Sequence, residues 1–162
     1  MTKYIGILLL FFLSSWTDPP KKVQVYYFLS TTCKICQGYA LEMREIYNVY
    51  SPQGVEFYAL YPGELENDST VLNFHSKYKL PFLGSKDSVL HYRWQATVTP
   101  EVFLIVNDTM VYHGRIDDSY VGVGKRRFKS QHHELKDNIG NVLENKEIIT
   151  TFVQPVGCII EK

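Results

Sequence analysis

Cys33 and Cys36 stand three residues apart in the stretch Val23–Gln37, VQVYYFLSTTCKICQ. A β-branched and aromatic run ends in Ser30-Thr31-Thr32, and the two cysteines follow at once. After them Ile35, Tyr39, Met43, Ile46, Tyr47 and Tyr50 recur at helical spacing. The order predicts a strand that hands over to the first turn of a helix at Cys33. Free backbone N–H groups and the positive end of the helix dipole stabilise a thiolate there. The thiolate is the form of cysteine that attacks disulfides and peroxides. Cys33 is therefore the expected nucleophile. Cys36, one turn further in, is the expected resolving thiol, closing a Cys33–Cys36 bridge once a mixed disulfide has formed on Cys33. Lys34 would favour the thiolate if its side chain curled back, and is otherwise a solvated lysine.

The chain has three cysteines, and Cys158 lies far away near the C-terminus. An odd count leaves a free thiol, an exchangeable pairing or a bond between molecules. A staple between Cys33 and Cys36 would close a tiny loop and stabilise little. Chemistry is the more economical reading of the close pair. Cys158 keeps two readings, a third working thiol or a small buried hydrophobe.

Those residues need a scaffold, and the chain supplies one. Its 162 residues suit one domain with a proper core, and 45% hydrophobic content is that of a globular protein. Seventeen Lys and Arg balance seventeen Asp and Glu, so no charge signature points to nucleic acid or an anionic membrane. The twelve tyrosines then read as packing residues rather than base-stacking ones. At the N-terminus one lysine precedes the uncharged run Tyr4–Leu13, followed by Ser14-Ser15 and a polar exit. Residues 1–17 read as a signal peptide, with an uncleaved anchor as the alternative, and residues 18–22 as a linker into the folded part at 23–162. The run is short for a membrane span, and no cysteine follows it to carry a lipid.

Strands are expected at Val23–Leu29, Val55–Tyr61, Leu80–Leu83, Glu101–Val106 and Thr109–His113. Helices are expected at Cys33–Tyr50, at Thr70–Tyr78 capped by Asp68 or Ser69, at Lys86–Gln95, and from a Ser130 cap to about Asn145. Asn107-Asp108 is a turn between strands, Val121–Arg127 a loop, and Glu147–Lys162 extended. Alternating strands and helices imply parallel pairs joined by right-handed crossovers, and the hairpin adds antiparallel strands. The expected fold is α/β, a mixed sheet of four or five strands with helices on both faces. The cysteine pair falls at the carboxyl edge of the first strand, where open α/β sheets place their sites.

This arrangement resembles the thioredoxin fold, and more narrowly its redoxin or peroxiredoxin-like branch. Three motifs carry the resemblance: Phe28–Cys36 (FLSTTCKIC), Val98–Leu104 (VTPEVFL) running on to Val111–Asp118 (VYHGRIDD), and the tail Pro155–Ile160 (PVGCII). It covers roughly residues 23–162. It implies a cis peptide bond between Thr99 and Pro100, against the usual preference for trans, with the Thr99 backbone beside Cys33 and free to pair with a substrate strand. The tail implies a role for Cys158 as a second resolving or interchain thiol. Thr32 stands where thioredoxins have tryptophan, and Lys34-Ile35 where thioredoxin has Gly-Pro. Tyr26 and Ser30 stand where peroxiredoxins have a proline and a Thr or Ser, so Ser30 keeps the substrate-positioning hydroxyl. Arg93 and Arg115 are the candidates for a peroxide-polarising arginine.

The resemblance and the residues together point to an exported thiol–disulfide oxidoreductase, periplasmic or extracellular. Its partners would be protein disulfides or thiols and a thiol electron donor, with a membrane involved only if the leader stays attached. A thiol peroxidase with Cys33 attacking hydroperoxide is the alternative. A binding module that uses the Thr99-Pro100 edge is the third reading. No cofactor is implied. The pair plus one of His75, His91, His113, His132 or His133 would offer metal ligands, but no second pair has ligand spacing, so no metal is expected. Lys125-Arg126-Arg127 reads as a solvated basic loop, and Asp117-Asp118 as local partners for Arg115. No Ser-His-Asp set, phosphate loop or dinucleotide fingerprint is present.

Overall fold

The computed structural model describes residues 21–160. The expected leader at 1–17, most of the linker and the last two residues lie outside them. In chain order the elements are β1 (Val23–Phe28), α1 (Lys34–Tyr50), β2 (Val55–Pro62), α2 (Asp68–Tyr78), β3 (Leu83–Asp87), α3 (Leu90–Arg93), β4 (Val98–Thr99), β5 (Glu101–Val106), β6 (Thr109–Gly114), β7 (Tyr120–Gly122), β8 (Lys125–Arg126), α4 (Glu134–Leu143), β9 (Phe152–Val153) and β10 (Cys158–Ile159).

The main sheet has the order β3-β2-β1-β5-β6-β9. β1 runs parallel to β2, and β2 to β3, while β1–β5 and β5–β6 are antiparallel. Five of these strands form the expected mixed sheet, and the two-residue β9 adds an edge beside β6. Strand alternation divides the side chains between two layers. Val23, Val25 and Tyr27 of β1 join Phe57, Val102 and Leu104 under α1, α2 and α4. Phe28 joins Leu60, Phe103 and Ile105 on the opposite face, which is covered by Leu90 and Trp94 around α3 and by Ile160 of the tail. Tyrosine is a core residue here: Tyr27, Tyr61 and Tyr112 are fully buried. Tyr27, Tyr47, Phe57 and Phe82 form one aromatic cluster.

The apolar stripe of α1 (Ile35, Cys36, Tyr39, Ala40, Met43, Ile46) lies on the sheet. The helix stops at Ser51-Pro52, and Gly54 takes the left-handed φ of 87° that lets the chain enter β2. Four boundaries differ from the sequence reading. α2 is capped by Asn67, whose side chain accepts from Thr70 N while Thr70 Oγ1 accepts from Asn67 N, both at 3.0 Å. Strand β3 begins at Leu83, where the reading from Leu80 ends, because Leu80 and Phe82 are drawn into the core as side chains of a bend. α3 is one short turn, held by the buried Asp87 carboxylate, which accepts the N–H groups of Val89, Leu90 and His91. Ser130 caps no helix: its hydroxyl donates to Asp118 at 2.7 Å, and α4 begins at Glu134.

One turn stands where expected and one loop differs. Asn107 and Asp108 both take positive φ, 48° and 62°, so the β5–β6 turn forms without glycine. The stretch Val121–Arg127, read as a loop, largely coincides with the small hairpin β7–β8.

Candidate active site

Leu29 to Thr32 carry the chain from the end of β1 to Cys33, which caps α1 in extended conformation (φ −70°, ψ 118°). The Cys33 N–H donates to the Ser30 carbonyl at 3.2 Å. The turn is fixed by a residue that nothing in the sequence singled out. Glu66, buried after β2, accepts the Thr31 N–H and the Thr31 hydroxyl, each at 2.9 Å. Gln37 closes the loop from the helix side by donating to the Thr31 carbonyl at 3.1 Å.

Five of the expected site residues come together with Cys33. The N–H groups of Ile35 and Cys36 point at the Cys33 sulfur, and the thiols of Cys36 and Cys158 donate to it. The hydrogen bond from Cys36 outweighs burial and, with the other donors, lowers the Cys33 thiol from 9.0 to about 5. As a thiol, Cys33 donates to the Thr99 carbonyl at 3.1 Å. Burial, together with the neighbouring Cys33, pushes the Cys36 thiol up, against an opposing N–H bond from Ser30 and a side-chain bond from Thr99. Cys158 is raised to about 11, by burial first and then by Cys33. One low thiol flanked by two high ones is an arrangement for a nucleophile with two proton-bearing neighbours. The Thr99–Pro100 bond is cis. The three cysteines are free thiols.

The arginines lie apart from this cluster. Arg93 is exposed on α3. Arg115 is held by Glu134, to which its Nε donates at 3.0 Å, rather than by Asp117 or Asp118. Asp118 instead accepts from Ser130, Gln131 and His132 and pairs with Arg127, so one residue of the basic loop is structural. Among the described residues, the Cys33 sulfur donates to the Thr99 carbonyl, while Arg115 is engaged by Glu134.

The histidines are placed elsewhere: His75 bonds Tyr61 at 2.9 Å, His91 bonds Asp87 at 2.8 Å, and His113 faces Glu101 at 3.5 Å. Among the described residues, one group brings three metal-ligating atoms within 4.8 Å of one another: Glu42, Asp117 and His133. There Lys136 Nζ already sits 2.7 Å from Glu42 Oε1, and Asp117 accepts from the Tyr39 hydroxyl and from Ser119. The charge and the donors a cation would need to displace are in place.

With this geometry in view, solved structures give a consistent picture. An uncharacterized conserved protein from Geobacillus kaustophilus aligns with a TM-score of 0.79 at 19% identity, over 87% of this chain and 77% of its own. A hypothetical protein from Sinorhizobium meliloti 1021 aligns with a TM-score of 0.75 at 25% identity, over 85% and 78%. A secreted disulfide oxidoreductase of Mycobacterium tuberculosis, homologous to E. coli DsbE, aligns with a TM-score of 0.51 at 16% identity, over 76% and 81%. The fold is the thioredoxin fold. No protein-family model and no curated protein matches the chain. In the terms of that fold, Cys33 lies at the end of the first strand and the Thr99-Pro100 loop is its facing wall. Glu66 and the Tyr61–His75 pair stand near the thiols, where burial first, and then Cys36 and Glu66, raise the Tyr61 hydroxyl. Glu66 could not be found by pattern: it sits in the polar run Gly63–Asp68 among residues that look equally solvated. No helix of the described residues is long and apolar enough to cross a membrane.

Proposed function

We propose that this protein is an exported thiol–disulfide oxidoreductase acting on protein disulfides, with Cys33 as nucleophile and Cys36 as resolving thiol. The observation that carries the reading is the placement of Cys33 at the start of α1, with Cys36 in the first turn and Cys158 paired to Thr99, whose carbonyl accepts from the Cys33 thiol at 3.1 Å. The Cys33 thiolate attacks one sulfur of a substrate disulfide, forming a mixed disulfide and releasing the other substrate sulfur as a thiolate. Cys36 then loses its proton and attacks the Cys33 sulfur, forming the Cys33–Cys36 bridge and releasing the second substrate thiolate. Two electrons pass from the enzyme dithiol to the substrate, and a thiol donor returns them. Export rests on the leader pattern at residues 4–13, and the Mycobacterium tuberculosis protein of the same fold is described as secreted. Disulfide exchange is favoured over hydroperoxide reduction because Arg115 is engaged by Glu134 and Arg93 is exposed on α3.

The test is reduction of insulin with dithiothreitol as donor, beside consumption of hydrogen peroxide. The wild type should accelerate insulin reduction, and Cys33→Ser should abolish the acceleration. Rapid peroxide consumption with no effect on insulin would overturn the reading in favour of a peroxidase. A Cys33→Ser, Cys36→Ser protein that kept its biological role would favour a binding module.

A further inference from the structure

The nucleophile is covered. Cys33 is 2% exposed, although its function requires a substrate sulfur to reach it in line. The C-terminal segment packs against it: Val156 and Cys158 lie on the core cluster that contains Cys33. Strand β10 pairs antiparallel with β4, Cys158 opposite Thr99 and Ile159 opposite Val98, and β10 is the only strand paired with β4 among the described residues. The Ile160 N–H donates to the Thr97 carbonyl at 3.0 Å. The Ile160 side chain is buried with Phe28, Phe103 and Trp94 on the thin face of the sheet. Gly157 lies so close that a methyl group there would run into the Thr99 backbone. Cys158 stands opposite Thr99, and the Thr99 carbonyl accepts from the Cys33 thiol at 3.1 Å, so the ladder brings the two cysteines to the same residue.

An extended segment antiparallel to β4, carrying a cysteine to the nucleophile, is how a substrate strand would dock on a free sheet edge. We propose that the C-terminal strand is a tethered occupant of the substrate groove and that Cys158 exchanges a disulfide with Cys33 within it. This deepens the oxidoreductase reading and rests on it. With a disulfide R–S–S–R as oxidant, the Cys33 thiolate attacks and one RS⁻ leaves. The Cys158 thiolate then attacks the Cys33 sulfur, the second RS⁻ leaves, and a Cys33–Cys158 bond pins the strand over the groove. Attack by Cys36 on Cys33 moves the bond to Cys33–Cys36, and the released Cys158 thiolate takes up a proton. The electron count is that of one dithiol oxidised and one disulfide reduced. Protein substrates gain entry when the strand lifts. It is held by a two-residue ladder, the Ile160 N–H bond, the buried Pro155 and Ile160, and the packing of Val156 and Cys158 on the main core, so lifting is a local opening of one short segment.

Two measurements test this. Cys36→Ser is oxidised with one equivalent of glutathione disulfide and mapped by non-reducing mass spectrometry. The expected product is an intramolecular Cys33–Cys158 bond; stable glutathione on Cys33, or a disulfide-linked dimer, overturns the proposal. Ile160→Asp, which changes the anchor and none of the thiols, should speed alkylation of reduced Cys33 by about tenfold, as removal of a local opening step predicts. An unchanged or slower rate overturns the covering role. Insulin reduction by the wild type separates the two readings. If it proceeds and the Cys33–Cys158 bond never forms, the tethered strand is wrong and the function stands. If the bond forms in a protein that does not reduce insulin, the strand stands and the function falls.

Discussion

At the Cys33 sulfur, donors compete with burial and win. The side chain is almost fully covered, which by itself would hold the proton on, yet two thiols and two backbone N–H groups bring the thiol down to about 5. The consequence for stability has a definite sign. A folded value of about 5 against 9.0 means that the thiolate stabilises the reduced fold fully above pH 9, progressively less as pH falls, and not at all below about pH 5. In urea, the margin of the reduced wild type over Cys33→Ser should therefore be wider at pH 8 than at pH 5. A margin that stays constant would contradict the ionised sulfur. Glu66 acts one step away, through Thr31. Glu66→Ala leaves the Thr31 N–H without its acceptor and should cost about 1–3 kcal/mol in chemical denaturation. Loss of that clamp should also slow insulin reduction, because the turn that aims Cys33 loosens.

Among the elements, those with a strong period were legible in the sequence. β1, α1, β2, β5 and β6 stand within a residue or so of their expected places, because each combines an apolar repeat with a firm stop such as Pro52 or the Asn107-Asp108 turn. The errors fall where a polar side chain serves a distant partner. Ser130 looks like a helix cap, but Asp118 takes its hydroxyl, and no local signal reports a bond across twelve residues. Asp87 falls in the first turn of the expected helix Lys86–Gln95 and instead ends β3, its buried carboxylate accepting the N–H groups that open α3. At α2 three neighbouring residues could cap, and the reciprocal bonds with Thr70 select Asn67. Asn67→Ala should cost about 1 kcal/mol, while Ser69→Ala should stay within about 0.5 kcal/mol. Thermal denaturation of the two variants decides it; equal losses would return the cap to Ser69. The cysteine pair and the cis Thr99-Pro100 wall were readable from motif, whereas the contact between Cys158 and Cys33 joins positions too far apart for spacing to reveal.

Over the whole molecule, the two faces of the sheet do different work. The thick face under α1, α2 and α4 holds the main core, and truncation there should be expensive: Ile139→Ala, in a fully buried position of α4, should cost about 2–5 kcal/mol in denaturation without moving the Cys33 titration. The opposite face is closed, among the described residues, by Leu90 and Trp94 around α3 and by Ile160 of the tail. The thiols belong to the thick side: Cys33 and Cys36 are buried in the main core, and Val156 and Cys158 of the tail pack against it. The most direct check of the central claim is equilibration of the wild type in glutathione redox buffers, with every thiol mapped at each ratio. The account predicts one two-electron transition in which Cys33 takes part in every enzyme disulfide that appears. Cys33 remaining a free thiol while the buffer oxidises other cysteines would contradict it.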